Sequence, residues 1–337
     1  NNIISLIDPV DTPLIAALGG RRSARTKFKI RGNGAKIEWL EDAYAPLSDV
    51  AAQGTTITTN TTTLTVTDAS IFQPGHVTLL DPEYMVVGAV NTTNNTLTAL
   101  ARDYGGTNAT HVTTSTIYIV GMARLEGDDA DYGPIVDITA PYNYTSIFQK
   151  ALNISGTQQV IDQYGINDEF SYQANKGVPE LMRLVESAAF HGIRSLGTAS
   201  APRSFGGLGT FVTSNSVNAG GAIAKTDIDN AMEYCLLDGS TPDLFVAHPS
   251  IMNDVRALLD SSSFVNVTQE NTMFGMMPIT RINPQYGPMK VVESRWCPLA
   301  TSYLLDSRKV GFYTLRPFGW KELAVTGDSK KGELIGE

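Results

Sequence analysis

The sequence predicts an α+β chain in which a small all-β module interrupts a larger mixed domain, and three patterns carry that expectation. From Thr55 to Val120, apolar and hydroxyl residues alternate with a period of two between closely spaced turn signals. From Asn167 to Ser195, apolar residues recur at steps of three and four, the mark of one face of a long helix. Beyond about Gly220, helical and strand patterns take turns, as they do where helices pack on a mixed sheet.

The first stretch, "DPVDTPLIAALGG", has Pro9 and Pro13 interrupting its apolar runs, which predicts an extended arm with a short helix over Thr12 to Leu18. Thr12 is its candidate cap and Pro13 its first helical residue, where a missing N–H costs nothing. "KIEWLED" reads as a strand, ended by Pro46. The stretch Thr55 to Thr67 holds nine threonines, yet Leu64 and Val66 alternate with Thr63, Thr65 and Thr67, which a mucin-like stalk would not require. Threonine suits an exposed strand face, because its branched Cβ favours extended backbone while its hydroxyl keeps water.

The turns "QPGH", "DPEY" and "NTTNN" then separate "VTLL", "MVVGAV", "TLTAL" and "IYIVG", and the short strands together form a small barrel or sandwich. Its candidate core is Leu64, Val66, Val77, Leu79, Val86, Leu97 and Ile119. After Gly121 longer extended segments return, as though retracing the path left at "KIEWLED". The helix from Asn167 to Ser195 has Phe170, Ala174, Val178, Leu181, Val185 and Ala188 as its stripe. Gly177 and Pro179 should bend it, or split it with Pro179 opening a second helix. Later come the helix "KTDIDNAMEYCLLDG", capped by Thr226 or Asp227 and ended by Gly239, and a helix opened by Pro249. "DLFVAH", "MKVVES", "SYLLD", "VGFYTL" and "KELAVTG" read as strands.

Composition narrows the function. The 337 residues suffice for a sizeable core, and no apolar run of 18 or more predicts a membrane span. The first residue is Asn rather than Met, which suggests residues lost at that end. A net charge of −9 argues against gripping nucleic acid by its phosphates. Cys235 and Cys297 are too few for a disulfide framework and fit a reducing compartment. The seven sequons, at Asn60, Asn91, Asn94, Asn108, Asn143, Asn153 and Asn266, are read as a by-product of an Asn- and Thr-rich chain.

No constellation supports catalysis. His76, His111, His191 and His248 stand in no metal spacing, and neither a nucleophile elbow nor a phosphate loop occurs; "GGLGT" reads as a turn. In "EGDDADYG", Asp128, Asp129 and Asp131 offer hard oxygens but not the spacing of a calcium loop, so a solvated loop or intersubunit ion pairs is the better reading. Cys235 on "AMEYCLL" reads as a buried, inert thiol. The expectation is a non-enzyme without cofactor or metal.

Several segments resemble the major capsid proteins of tailed bacteriophages with the Hong Kong 97 fold, in the group with a β insertion. They are "DPVDTPLIAALGG", "IEWLEDAYA", "QKALNISGTQQVIDQYGINDEFSYQANKGVPELMRLVESAAFHG", "GGLGTFVTSN", "VVESRWCPLATSYLLDSRKVGFYTLRPF" and "TGDSKKGELIGE", in that order. The resemblance implies an N-terminal arm over 1–28 and an E-loop over 29–144 that carries the β module at 55–120. It further implies a P-domain over 145–219 with its spine helix at 167–195, an A-domain over 220–310, and closing strands over 311–337. Two departures stand out: Pro179 falls where such helices run on, and the chain stops at "GELIGE", where relatives continue with another strand.

On this reading the protein partners itself in hexamers and pentamers of an icosahedral head around double-stranded DNA. Portal, scaffold and minor external capsid proteins are further partners, with no membrane and no sequence-specific nucleic-acid binding. It would be assembled in the host cytoplasm and end in the virion. Candidate intersubunit contacts are Trp39, Glu41, Arg124, Glu126, Asp128, Arg183, Glu186 and Arg194. Arg183 and Glu186 can equally pair on their own helix, being three residues apart. The competing reading is a secreted β-rich adhesin or carbohydrate-binding protein, which would account for the threonines and sequons but not for the order of segments.

Overall fold

The computed structural model describes residues 11–19, 34–161, 166, 168–261 and 281–337, the side chains of 259–261 excepted. The basic stretch 21–29, the helix start at Asn167 and the sequon at Asn266 lie outside the described residues. The chain divides into two compact units, Asn1–Trp39 with Pro141–Glu337, and Leu40–Ala140.

The core of the larger unit is a four-stranded sheet in the order β12 (Arg281–Ile282), β13 (Met289–Glu293), β11 (Leu244–Ala247), β14 (Tyr303–Leu305). β11 is parallel to β13, antiparallel to β14 and buried at every residue. Successive side chains of a strand point to opposite faces, so an all-apolar strand must be covered on both. Leu244 and Val246 pack with α1 (Pro13–Ala17) through Leu14, and with Ala189 and Phe190 of the long helix α3 (Glu169–His191). Phe245 and Ala247 pack on the other side with Ile228 and Met232 of α5 (Lys225–Leu237) and Met252 and Val255 of α6 (Pro249–Ser261).

A second sheet runs β10 (Phe148–Ser155), β16 (Ser329–Gly336), β15 (Gly319–Glu322), and β1 (Lys36–Glu38) pairs with β9 (Tyr142–Tyr144). The final segment, "GELIGE", thus belongs to a strand. "VGFYTL", expected as a strand, is irregular: the Leu315 and Arg316 N–H groups both donate to the Glu337 carbonyl instead of forming a ladder. Helix α5 is capped at Ala224, not at Thr226 or Asp227; Asp227 reaches back to accept the Ala224 N–H at 2.8 Å. Gly239, at φ +72, follows its end as expected.

Helix α3 begins after Asp168, whose carboxylate accepts the Phe170 N–H at 3.0 Å and the Ser171 N–H at 3.3 Å. It ends at Gly192, not at Ser195, and a Cβ at Gly192 would lie 2.5 Å from the Ala188 carbonyl and 2.6 Å from that of Phe205. The helix is one element through Pro179, not two. Gly177 lets it sit close on β10 and β16, where an added Cβ would already touch Lys150 Cδ at 3.4 Å. The Lys150–Glu180 ion pair ties the same turn to β10. Pro179 withholds a donor from the Asn175 carbonyl and crowds it. Pro179→Ala is therefore expected to stabilise the protein by about 1–3 kcal/mol, read as a higher thermal midpoint; an unchanged midpoint would mean that the surrounding packing already absorbs the defect.

In the Leu40–Ala140 unit the regular structure is β strands and one 3-10 turn. One sheet runs β2 (Ser48–Val50), β8 (Thr116–Met122), β4 (His76–Leu80), β5 (Glu83–Val86), and the other β3 (Leu64–Thr65), β7 (Thr96–Thr98), β6 (Ala89–Asn91). The unit starts well before Thr55: β2 pairs with β8, and Ala51 bridges Val66. Gly88 lets the chain pass from β5 to β6, splitting the expected strand "MVVGAV", because a Cβ there would meet the Ala99 carbonyl at 2.4 Å.

The core contains Leu64, Val66, Leu80, Met85, Leu97 and Ile117, with Ile119 packed against it. Val77, Leu79 and Val86 are not in it. Alternation in β4 and β5 is as expected but its phase is reversed: His76, Thr78, Glu83 and Met85 are buried, and the three apolar residues face out. The threonines between Thr55 and Thr67 do meet water, all being exposed or half-buried.

Candidate assembly interface

Three groups of side chains bear on how this chain meets its surroundings. The first lies in the larger unit, where the chain leaves towards Leu40 and returns at Pro141. The Trp39 N–H donates to the Pro141 carbonyl at 3.1 Å, and the Trp39 ring packs on Phe211 at 5.9 Å. The Arg194 guanidinium lies 4.4 Å from the centre of the Tyr142 ring and donates to the Tyr142 carbonyl at 3.0 Å. Lys36 approaches the same ring at 4.4 Å. The Asn143 amide is taken up by Gly206, donating to its carbonyl at 3.1 Å and accepting from its N–H at 2.8 Å. Trp39 and Arg194 thus fasten the crossing within the chain.

The second group surrounds Glu186, which is fully buried. Its carboxylate accepts the N–H groups of Leu14 at 2.8 Å and Ile15 at 3.0 Å, and the Ser294 hydroxyl at 3.1 Å. Thr12 makes no side-chain cap to α1, so Glu186, 172 residues from Leu14, does that work instead. Burial holds its carboxyl above the usual carboxylate range despite the three bonds it accepts. Glu186, expected at an intersubunit contact, is turned into the chain's own interior. Arg183 stacks over the Trp296 ring at 6.0 Å, and the Trp296 indole N–H reaches the Asp11 carbonyl at 3.2 Å.

The third group is in the Leu40–Ala140 unit. Its two flanking legs meet at a single bridge, Glu41 to Thr139, and otherwise carry large apolar side chains in solvent. Tyr44 is 99% exposed, Tyr132 98%, Ile135 89% and Leu125 82%, with Leu40, Leu47 and Ile138 also largely exposed. The acidic loop folds around one arginine: Arg124 pairs with Asp131 at 3.1 Å and Asp128 at 3.7 Å and donates to the Asp129 carbonyl, while Glu126 is exposed. Among the described residues no three His, Cys, Asp or Glu side chains gather as a metal site.

Inside the same unit is a network that the sequence did not reveal. Glu83, 0% exposed, receives Arg102 through two bonds of 2.5 Å, His111 at 3.0 Å, and the N–H groups of Ala109 at 3.1 Å and Asp103 at 3.3 Å. Arg102 also donates to the carbonyls of Thr58, Thr61 and Ala109. Burial alone would raise the Glu83 pKa, but these donors outweigh it and bring it down to about 2. Cys297 is buried, its thiol pushed up to about 12 by that burial; Cys235 is half-buried and also raised by burial.

The buried carboxylates Glu83 and Glu186 thus serve the fold, while the two legs hold Tyr44, Leu125, Tyr132 and Ile135 in solvent. All 337 residues match the family model described as SU10 major capsid protein, and the chain belongs to that family. It is a major capsid protein of a phage head, with a structural role, as the resemblance in its sequence implied; the adhesin reading finds no support. No curated protein matches it.

Among solved structures it is similar to one from Microbacterium phage Oxtober96, at 13% identity and TM-score 0.48, over 100% of this chain and 87% of the other. It is also similar to the holo-SrpI encapsulin complex from Synechococcus elongatus PCC 7942, at 13% identity and TM-score 0.42, over 59% and 71%. A third likeness is to Mycobacterium phage Adephagia, at 15% identity and TM-score 0.42, over 64% and 72%.

Proposed function

We propose that the chain forms pentamers and hexamers that close an icosahedral head around double-stranded DNA, without catalysis, in the cytoplasm of the host. Residues 1–28 act as the arm, 29–144 as the E-loop, 145–219 as the P-domain, 220–310 as the A-domain and 311–337 as closing strands. The β unit is an insertion in the E-loop on the outside of the head. Portal, scaffold and minor external proteins meet the shell at other points.

The observation that carries this reading is the row of exposed apolar side chains on the legs, Tyr44, Leu125, Tyr132 and Ile135 among them. Burying each such side chain contributes about 1.5–3 kcal/mol, so their presence in solvent calls for a covering surface. In a shell every copy supplies that surface to a neighbour, and many small contacts add up. Glu41 and Glu126 stand on these legs, at the rim of the contact. The net charge of −9 suits a container that holds DNA without adhering to it.

Sedimentation and negative-stain microscopy of the purified chain test the proposal. Rings or closed shells are expected, and Tyr132→Asp with Ile135→Asp should abolish them while leaving the circular dichroism spectrum unchanged. A sharp monomer of the wild-type chain across a wide concentration range, under conditions that permit assembly, would overturn it.

A further inference from the structure

The exposed legs of the Leu40–Ala140 unit mix two chemistries. Apolar side chains stand next to carboxylates along the chain, Leu125 beside Glu126, Asp131 beside Tyr132 and Asp137 beside Ile138, all of them exposed. Residues 40–47 and 123–140 together hold seven carboxylates, every one exposed, against a single base, Arg124. Beyond the Glu41–Thr139 bridge, residues 125–138 belong to no strand. One stretch of the sequence has the complementary composition. Residues 20–33, "GRRSARTKFKIRGN", hold six of the 25 lysines and arginines and no acid, in a chain of net charge −9. Arg25, Lys27, Lys29 and Arg31 alternate strictly with Thr26, Phe28 and Ile30, the pattern of an extended segment that is cationic on one side and uncharged on the other. This stretch lies outside the described residues, between α1 in the core of the larger unit and β1 on β9.

We propose that residues 25–31 of a second copy dock along these legs as an added strand. Consecutive residues of an extended segment point to opposite sides, so laying two such segments edge to edge brings like sides together. Cations then meet the leg carboxylates on one side, while Phe28 and Ile30 meet apolar side chains such as Leu125 and Ile138 on the other.

Charge complementarity selects this occupant. Two pairs of legs would repel each other, and an acidic partner would be repelled in the same way. DNA phosphates would take the cations of 25–31 but leave Phe28, Ile30 and the apolar side chains of the legs in water. A second copy fits because the chain then carries both halves of the contact, offering one to the next subunit and the other to the previous one. Such head-to-tail contacts close rings of identical subunits. The inference rests on the capsid reading and names what covers the legs within it.

The experiment uses the full chain with Cys235→Ala, Cys297 being buried. One variant adds Thr26→Cys and a second adds Ala130→Cys, on the exposed leg. Assembled together and mildly oxidised, the two are expected to give disulfide dimers joining position 26 of one chain to position 130 of another, identified by the linked peptides. Two single-cysteine chains can make that link only between copies. A charge exchange reads the same contact independently. Lys27→Glu with Lys29→Glu should keep the wild-type circular dichroism spectrum yet raise the protein concentration needed for shells by roughly tenfold or more. Adding Glu126→Lys with Asp129→Lys to that chain should recover most of the loss. Shells that form from the mixed variants without the 26–130 link, or a charge exchange that recovers nothing, would overturn this inference and leave the capsid reading intact. A link that forms only within one chain carrying both cysteines would overturn it too. So would normal assembly of the Lys27→Glu, Lys29→Glu variant with impaired DNA retention, which assigns the stretch to the genome. Failure of the wild-type chain to form shells counts against the capsid reading itself, and with it this contact.

Discussion

Glu83→Ala is expected to be the most damaging single substitution in the Leu40–Ala140 unit, lowering its stability by about 3–5 kcal/mol. The carboxylate has no access to solvent and receives five donors: two from Arg102, one from His111 and the N–H groups of Asp103 and Ala109. Its removal strands the Arg102 charge in the interior, since the side chain of Arg102 is itself only 7% exposed. Arg102 in turn gathers the Thr58, Thr61 and Ala109 carbonyls, so the threonine-rich segment and the 102–111 segment lose their common anchor together. Thermal unfolding and hydrogen exchange across 48–122 would show the loss. Replacing both charges by methionine should cost much less than the two single losses summed, because no uncompensated charge then remains. Single and double variants of equal stability to wild type would show that the network contributes nothing.

The same group sets an acid limit. Its folded pKa, about 2 against an ordinary 4.5, is depressed, so its contribution is fully present above pH 4.5 and is lost as pH falls towards 2. At neutral pH that contribution is roughly 3 kcal/mol. Glu186 has the opposite sign. Burial raises its folded pKa, so its contribution is most favourable below the unfolded value and declines as pH rises through the folded one. Acidification therefore removes the Glu83 contribution without removing that of Glu186. Circular dichroism of wild type and Glu83→Gln between pH 5 and 2 should converge as pH falls.

What was legible in the sequence follows from which forces act locally. The helix of α3, the buried strand β11 and the strands around Leu64, Val77 and Leu97 declare themselves through periodicity, which neighbouring residues set among themselves. The phase of β4 and β5 does not, because "VTLL" and "MVV" have apolar residues at both parities and the choice falls to Glu83 meeting Arg102, 19 residues on. In the sequence Glu83 stands in the turn signal "DPEY", where a charge draws no notice. Glu186 does give a signal: it stands beside Val185 on the buried stripe with Leu181 and Ala189, where a solvated charge does not belong. That signal identifies a buried acid but does not name its partner, since tertiary packing alone brings Leu14 to within 2.8 Å of Glu186.

Glu186→Ala is expected to release α1 from the rest of the larger unit. The helix has five residues, too few to be stable alone, and Leu14 and Leu18 hold it only while they sit in the cluster with Phe190, Val246 and Leu305. At its first turn the Leu14 and Ile15 N–H groups point into the interior, with Glu186 as their acceptor at 2.8 and 3.0 Å. Alanine leaves both donors and the Ser294 hydroxyl facing a void; a buried unpaired donor costs about 1–3 kcal/mol, offset by no longer burying the carboxylate charge. A net loss of roughly 2–4 kcal/mol follows, which at 1.4 kcal/mol per decade speeds exchange of the Leu14 and Ile15 amide hydrogens by about 30- to 1,000-fold. Glu186→Gln keeps one acceptor oxygen but sets an amide donor against the second N–H, so it should fall between. Exchange at Leu14 and Ile15 as slow in the Ala variant as in wild type would show that apolar packing alone seats α1, and that the buried carboxylate is incidental to it.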